Sequence, residues 1–313
     1  VLLCAPAGND LLYKHELSEQ GRNFANKVWN ALRLVDGWVV DENLKQPELL
    51  PAIKWFNAKL RSSIAKVDES YSKYRLSEAA MELYKLVWDD FCSWYLEMIK
   101  PGFEQPISRE IYDATMNFFE EITVLLHPMM PFITEEVWQT VKERKDGESI
   151  MTSTWPKADG QDKDLIAFGE KMQGLVSGIR NIRSSIGMSP KESVEVFIAS
   201  KDKGYEENAG LIKKLANISN LSYTTETVSG AKSFIIGTDE IFVPVPIDVE
   251  KEKEEMHAEL KRQKGFLIGV AKKLGNERFV ANAPEAVVSS EKKKQADAEA
   301  RIVILEKSLA ELG

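Results

Sequence analysis

From Glu16 to about Val141 the apolar residues return every three to four positions, with proline and glycine mostly at the breaks between runs. In a strand such residues would scatter over both faces. In helices they line one face, so the pattern predicts amphipathic helices joined by short connections, an antiparallel bundle. Leu49, Ile53, Phe56, Leu60 and Ile64 mark one helix over Glu48 to Lys66. Ser77 is the expected cap of the next, "EAAMELYKLVWDDFCSWYLEMI", which is apolar enough for the bundle centre and stops at Pro101 and Gly102. A further helix from Arg109 to Leu126 ends at "HPMMPF". Thr134 is then expected to cap a helix whose first turn holds Glu135 and Glu136 at the positive end of the dipole.

"TSTWPKADGQDKD" has the Pro, Gly and Asp content of a linker. After it Leu165, Phe168, Met172, Leu175, Ile179, Ile182 and Ile186 form one narrow apolar seam. "SVEVFIAS", "LSYTTE", "KSFIIG" and "EIFVPVP" alternate as strands, with a short helix around Tyr205 to Asn217. Residues 155–248 therefore read as a small α/β domain. From 249 onward the repeat is heptad: Val249, Met256, Gln263 and Val270 share one position, and Lys253, Leu260, Leu267 and Leu274 its companion. A second series (Val288, Gln295, Ile302, Leu309 with Ala298, Leu305, Leu312) follows "GNERFVANAP", so residues 249–313 predict an antiparallel coiled-coil hairpin. The fold class is thus mainly α: bundle, small α/β domain, hairpin.

Charge separates where the pattern does not. The chain carries a formal net charge of -8, yet Gln20 to Val35 holds Arg22, Lys27 and Arg33 and no acid. As a helix it places Phe24, Val28, Ala31 and Val35 on one face, and Arg22, Asn26, Trp29 and Arg33 on another, with Asn30 beside them. Amides hydrogen-bond base edges, and aromatic or guanidinium planes stack on bases, so this stripe suits unpaired nucleotides. Trp38, just past the helix end, is a further stacking platform. The structural alternative has Trp29 filling the core and the arginines paired with acids of a neighbouring helix. Arg180 and Arg183 lie off their seam, where they meet either phosphate or acids. Between Lys261 and Lys294, nine basic residues (Lys261, Arg262, Lys264, Lys272, Lys273, Arg278, Lys292, Lys293, Lys294) face three acids, a basic tip on an acidic root suited to a polyanion.

The sequence offers no catalytic constellation. No Gly-rich phosphate loop or Ser/His/Asp order stands out, and two cysteines with three scattered histidines give no metal spacing. "GTDE" at 237–240 reads as a hairpin turn. The pairs Asp89–Asp90 and Glu135–Glu136 read as helix surface. No run is long enough to span a bilayer, and cysteine usage fits the cytosol. The start inside an apolar run, without Met, reads as a piece of a longer protein.

"GRNFANKVWN", "LLHPMMPFITEEVWQ", "SIMTSTWP", "IRNIRSSIGMSP" and "NERFVANAPEAVV", in this order, closely resemble the C-terminal part of bacterial valyl-tRNA synthetases. "FCSWYLEMIKP" and the Pro-rich junction are shared with the related class I enzymes for isoleucine and leucine; "NERFVANAP" between charged heptads points to valine. The resemblance implies that residues 1–15 end a catalytic region, 16–154 bind the anticodon and 249–313 form an arm reaching the outer corner of a valine-specific tRNA. It implies a parent that joins valine to tRNA using ATP with magnesium, whereas this stretch holds no cofactor and neither catalytic nor editing site. DNA and membranes are not expected partners. Two rivals stand: a non-enzymatic helical and coiled-coil protein-interaction module, and the equivalent region of a synthetase for another amino acid.

Overall fold

The computed structural model describes residues 14–245, the helix from 249 to 274 (side chains from 257), Gly275, and Gln295, Ala298 and Ile302. The remnant expected over residues 1–15 falls almost wholly outside these. The chain divides into one compact unit up to Pro244 and another from Val245.

The first unit opens with a bundle: α1 (His15–Asp36), α2 (Leu50–Ser72), α3 (Leu76–Lys85), a π-helical segment (Leu86–Tyr95), α4 (Leu96–Ile99), α5 (Arg109–Leu126) and α6 (Pro131–Val141). Its centre is aromatic. Phe56 meets Phe91, Tyr95 and Phe118 with ring centroids 5.1, 4.9 and 4.9 Å away. Each such ring contributes roughly 2–3 kcal/mol by leaving water. The Tyr95 hydroxyl pairs with Thr115 Oγ1 at 2.8 Å, so its burial leaves no polar atom unmatched.

Several local expectations change. Ser77 lies inside α3, whose cap position is Arg75. Thr134 lies inside α6, which starts at Pro131, the residue type suited to a first turn that lacks N–H partners. The hydroxyl of Thr134 donates instead to Met130 O at 2.8 Å. The expected continuous helix after Ser77 widens into the π segment. There Asp90 is no surface residue: it is buried, 3.8 Å from Lys59. Desolvation is the largest influence on its carboxyl and raises its pKa. Glu135 likewise departs from a bare surface, accepting from Ser149 Oγ and Ile150 N and so fastening the loop after α6. The "TSTWPKADGQDKD" stretch is docked: Trp155 Nε1 donates to Asp68 at 2.9 Å, and Arg61 donates to Lys157 O at 2.8 Å.

The α/β part follows, with α7 (Lys163–Ser185), β3 (Val194–Ala199), α8 (Gly204–Glu207), α9 (Ala209–Ala216), β4 (Ile218–Tyr223), β5 (Ala231–Ile236) and β6 (Asp239–Pro244). The sheet order is β4-β3-β6-β5, with β3 and β4 parallel through the α8–α9 crossover and the other pairs antiparallel. Helix α7 lies between this sheet and α2, and glycines permit both approaches. A Cβ on Gly169 would fall 2.0 Å from Trp55 Nε1, and one on Gly178 2.1 Å from Phe234.

"GTDE" is the β5–β6 hairpin turn, with Gly237 at φ +60°. Its Asp239 does more than turn the chain. It is buried and accepts from Ser200 Oγ (2.6 Å), Tyr205 Oη (3.0 Å) and Lys171 Nζ (3.4 Å), while Lys171 also reaches Asp202 at 2.9 Å. The hydrogen bond to Lys171 is the main reason the Asp202 carboxyl sits below its usual range, and the bond to Asp202 the main reason Lys171 sits above its own. The depressed acid stabilises the fold above its unfolded pKa, a gain lost as pH falls through its folded value. The raised amine stabilises below its unfolded pKa and is lost as pH rises through its folded value. Lys171→Met is therefore expected to lower unfolding free energy by about 1–2 kcal/mol at neutral pH, since partial exposure screens the pair, and to leave a shallower acid limb. Urea unfolding at several pH values measures both.

In the second unit α10 (Val249–Leu274) buries Val270 along the expected seam, with Leu260, Gln263, Leu267 and Leu274 half-buried. Ala298 and Ile302 are buried and helical. The rest of the hairpin's second arm lies outside the described residues. Among the described residues no helix is long and apolar enough to cross a membrane.

Candidate nucleic-acid interface

Helix α1 turns Phe24, Val28, Ala31, Leu32 and Val35 into the bundle. The opposite face carries the stripe, and Arg22, Asn26, Asn30 and Arg33 stand away from the core. Trp29 is half-buried, so one edge of its indole packs while the other meets solvent. Arg22 has a weak partner on its own helix, Glu19 at 3.8 Å; among the described residues no side-chain hydrogen bond or ion pair engages Asn26, Asn30 or Arg33. Lys27 belongs elsewhere: its ammonium sits 5.1 Å from the Trp88 ring, beside a stack running Phe24–Tyr84–Trp88. An acid-free stretch thus divides into a core face, a cation–π contact and an outward polar stripe.

The stripe continues past the helix end. Gly37 and Trp38 close α1 by donating to Arg33 O and Val35 O. Trp38 is half-buried and Val39 is 70% exposed. Strand β1 (Val40–Asp41) pairs in parallel with β2 (Ile107–Ser108), and Ile107 N donates to Val39 O at 2.8 Å. That pairing fastens the end of the 100–106 loop to the chain at Val39, the residue after Trp38. At its tip Gln105 N donates to Gly102 O at 3.0 Å, Glu104 adopts φ +57°, and Phe103 stands 89% exposed. Arg109 donates through Nε and Nη2 to a single oxygen of Glu42, Oε1 (2.9 and 2.6 Å), which braces the adjoining loop and holds the Glu42 carboxyl below the usual range. Helical and charge patterning do not single out Phe103. A signal is nonetheless present in "PGFEQP", where a lone aromatic among turn formers cannot join a regular core element.

The two arginines of α7 divide. Arg180 is exposed, donates to Leu215 O at 3.0 Å and lies 6.0 Å from the Trp94 ring. Arg183 is 4% exposed and donates to Ala216 O and Asn217 O at 2.5 and 2.7 Å, closing the C-terminus of α9. Neither expected reading, phosphate or acid, describes Arg183. It is a buried helix cap, and burial lowers its pKa.

In the second unit Lys261, Arg262, Lys264, Lys272 and Lys273 project from α10. Arg262 pairs with Glu259 one turn earlier. Arg278, Lys292, Lys293 and Lys294 lie outside the described residues. Among the described residues no three His, Cys, Asp or Glu side chains gather as metal ligands. Cys92 is buried, and desolvation pushes its thiol up to about 12, far from a reactive thiolate.

Residues 53–198 match the family described as the anticodon-binding domain of tRNA ligase, and residues 248–313 the valyl tRNA synthetase tRNA binding arm. The first match begins after α1, so the stripe stands on its own chemistry. The chain is 49% identical over its whole length to the valine–tRNA ligase of Parabacteroides distasonis and 45% identical to that of Christiangramia forsetii. It is 35% identical over 92% of its length to that of Carboxydothermus hydrogenoformans. It spans 36% of the length of the first two relatives and 34% of the third.

Proposed function

Because this chain belongs to the valine–tRNA ligase family, we propose that it is the tRNA-holding part of such an enzyme, reading the anticodon with the bundle and gripping the tRNA's outer corner with the arm. The observation that carries the reading is the outward stripe of α1 in a chain of net charge -8: cations and amides that pair with no neighbouring helix among the described residues, continued by two aromatics. Arg22, Asn26, Trp29, Asn30, Arg33 and Trp38, with Phe103, contact unpaired bases, and Trp38 and Phe103 each offer a face on which a base can stack. Residues 16–154 supply specificity, 155–248 the connecting α/β domain, and 249–313 the salt-sensitive backbone grip. Lys261, Arg262, Lys264, Lys272 and Lys273, with Arg278 and Lys292 to Lys294, make that grip. The parent enzyme joins valine to tRNA in the cytoplasm, drawing on ATP with magnesium bound elsewhere in the longer protein.

Binding of this chain to valine tRNA, and to the same tRNA with a changed anticodon, at two salt concentrations tests the reading. Preference for the native anticodon is expected. Equal binding to both would limit the chain to a nonspecific basic grip. Neutralising Lys261, Lys264, Lys272 and Lys273 together is expected to weaken both tRNAs equally. The salt dependence should also flatten, by about 0.7–0.9 for each phosphate that the variant no longer neutralises. An unchanged slope would remove the arm from the interface.

A further inference from the structure

The clefts of the first unit differ in how their charged side chains balance. The cleft of Lys66, Lys73 and Arg75 is offset by Glu69, Glu78 and Glu82. The cleft of Lys171 and Lys201 is offset by Asp202 and Asp239. Another, of about 270 Å³, sets Lys100, Arg180 and Lys214 against Glu97 alone. A neighbouring groove shares its Lys100 and Lys214 and adds Glu48. The Arg180 cleft therefore has the largest positive surplus of the four, and it lies where the bundle meets α9. Its cations come from the loop after α4, from α7 and from α9, so chain topology rather than a local run of lysines brings them together.

We propose that this cleft holds a backbone phosphate of the bound RNA, next along the strand from the bases at Trp38 and Phe103; the inference rests on the tRNA-binding reading above. Gly102, which opens the turn bearing Phe103, also lines the cleft, so the two surfaces share the 100–106 loop. Two of the cations are already fixed in place. Lys214 Nζ donates to Met98 O at 2.9 Å and Lys100 O at 2.7 Å. Arg180 spends one donor on Leu215 O and rests on Trp94, leaving further guanidinium N–H groups. Lys100 is 46% exposed and only loosely tethered, 3.8 Å from Glu97. A phosphate meeting this set loses little to side-chain ordering, because Lys214 and Arg180 do not have to be immobilised. The same cations offset the negative C-terminal ends of α4 and α9, which keeps the site's surplus modest: it positions a strand and does not select one.

The test compares Lys100→Gln and Arg180→Gln with the unaltered chain, using valine tRNA and its changed-anticodon form across a salt series. Lys214 is left intact because it caps α4; Arg180→Lys keeps the charge and separates phosphate binding from the Leu215 contact. The expected result is a salt slope smaller by about 0.7–0.9 in each glutamine variant, an equal loss of affinity for both tRNAs, and recovery of most of it in Arg180→Lys. Unchanged slopes in a chain that still prefers the native anticodon would overturn the cleft and leave the anticodon reading standing. Selective loss of the native tRNA would also overturn it, since that marks base contact. Failure of the unaltered chain to bind either tRNA would overturn both.

Discussion

Replacing Arg22 and Arg33 together with alanine is expected to reduce discrimination between native and altered anticodons by about 10- to 100-fold, with the thermal midpoint almost unmoved. The magnitude follows from the roughly 1–3 kcal/mol that a good side-chain contact to a base edge carries, each 1.4 kcal/mol being tenfold. The neutrality follows from where the side chains stand. Arg22 is 67% exposed with a 3.8 Å contact to Glu19, a surface pair of small worth, and Arg33 has no ion pair among the described residues. Alanine is also the better helix former, which offsets what little stability the pair supplied. Binding ratios for the two tRNAs and a melting curve decide it. A clear fall in midpoint would show that the arginines hold the bundle together. An unchanged ratio would move the anticodon site off α1.

A methyl group on Gly169 is expected to have the largest stability effect. Its Cβ would lie 2.0 Å from Trp55 Nε1, inside an indole that is itself buried. Neither partner has a simple escape: Trp55 is enclosed by the bundle core, and Gly169 sits on a regular helix pinned against the sheet. Gly169→Ala is therefore expected to cost about 1–3 kcal/mol or more by overpacking, despite alanine's better helix propensity. Gly210→Ala in α9 is the matched control, because nothing stands within 4 Å of its Cβ position. It should leave stability unchanged or slightly raised. Equal behaviour of the two variants in urea unfolding would mean that α7 does not press Gly169 onto Trp55 in solution.

Much of this molecule is legible in local periodicity, since an amphipathic helix needs only residues three and four apart. The bundle helices, the α7 seam and the inward face of α1 follow from that spacing, and so does the outward position of Arg22, Asn26, Asn30 and Arg33. The basic surplus between Lys261 and Lys294 is likewise a property of the chain alone. Spacing places Trp29 in the outward stripe, and its half-burial shows a side chain that also packs in part.

Other features depend on residues far apart in the chain. A two-residue parallel pairing, Val40 with Ile107, ties the loop bearing Phe103 to the chain just after Trp38; strands so short leave no periodic trace. Arg180 and Arg183 stand three residues apart on one helix and both donate to carbonyls at the end of α9, yet only Arg183 is enclosed there while Arg180 stays exposed. Asp89 and Asp90 look alike in sequence, but the packing of α2 encloses the second beside Lys59. Lys100, Arg180 and Lys214 form a cleft only where three elements converge. Local spacing by itself determined which side of each helix faces inward. Only the tertiary structure decided what each outward or inward group meets, because burial and pairing depend on neighbours brought in from elsewhere in the chain.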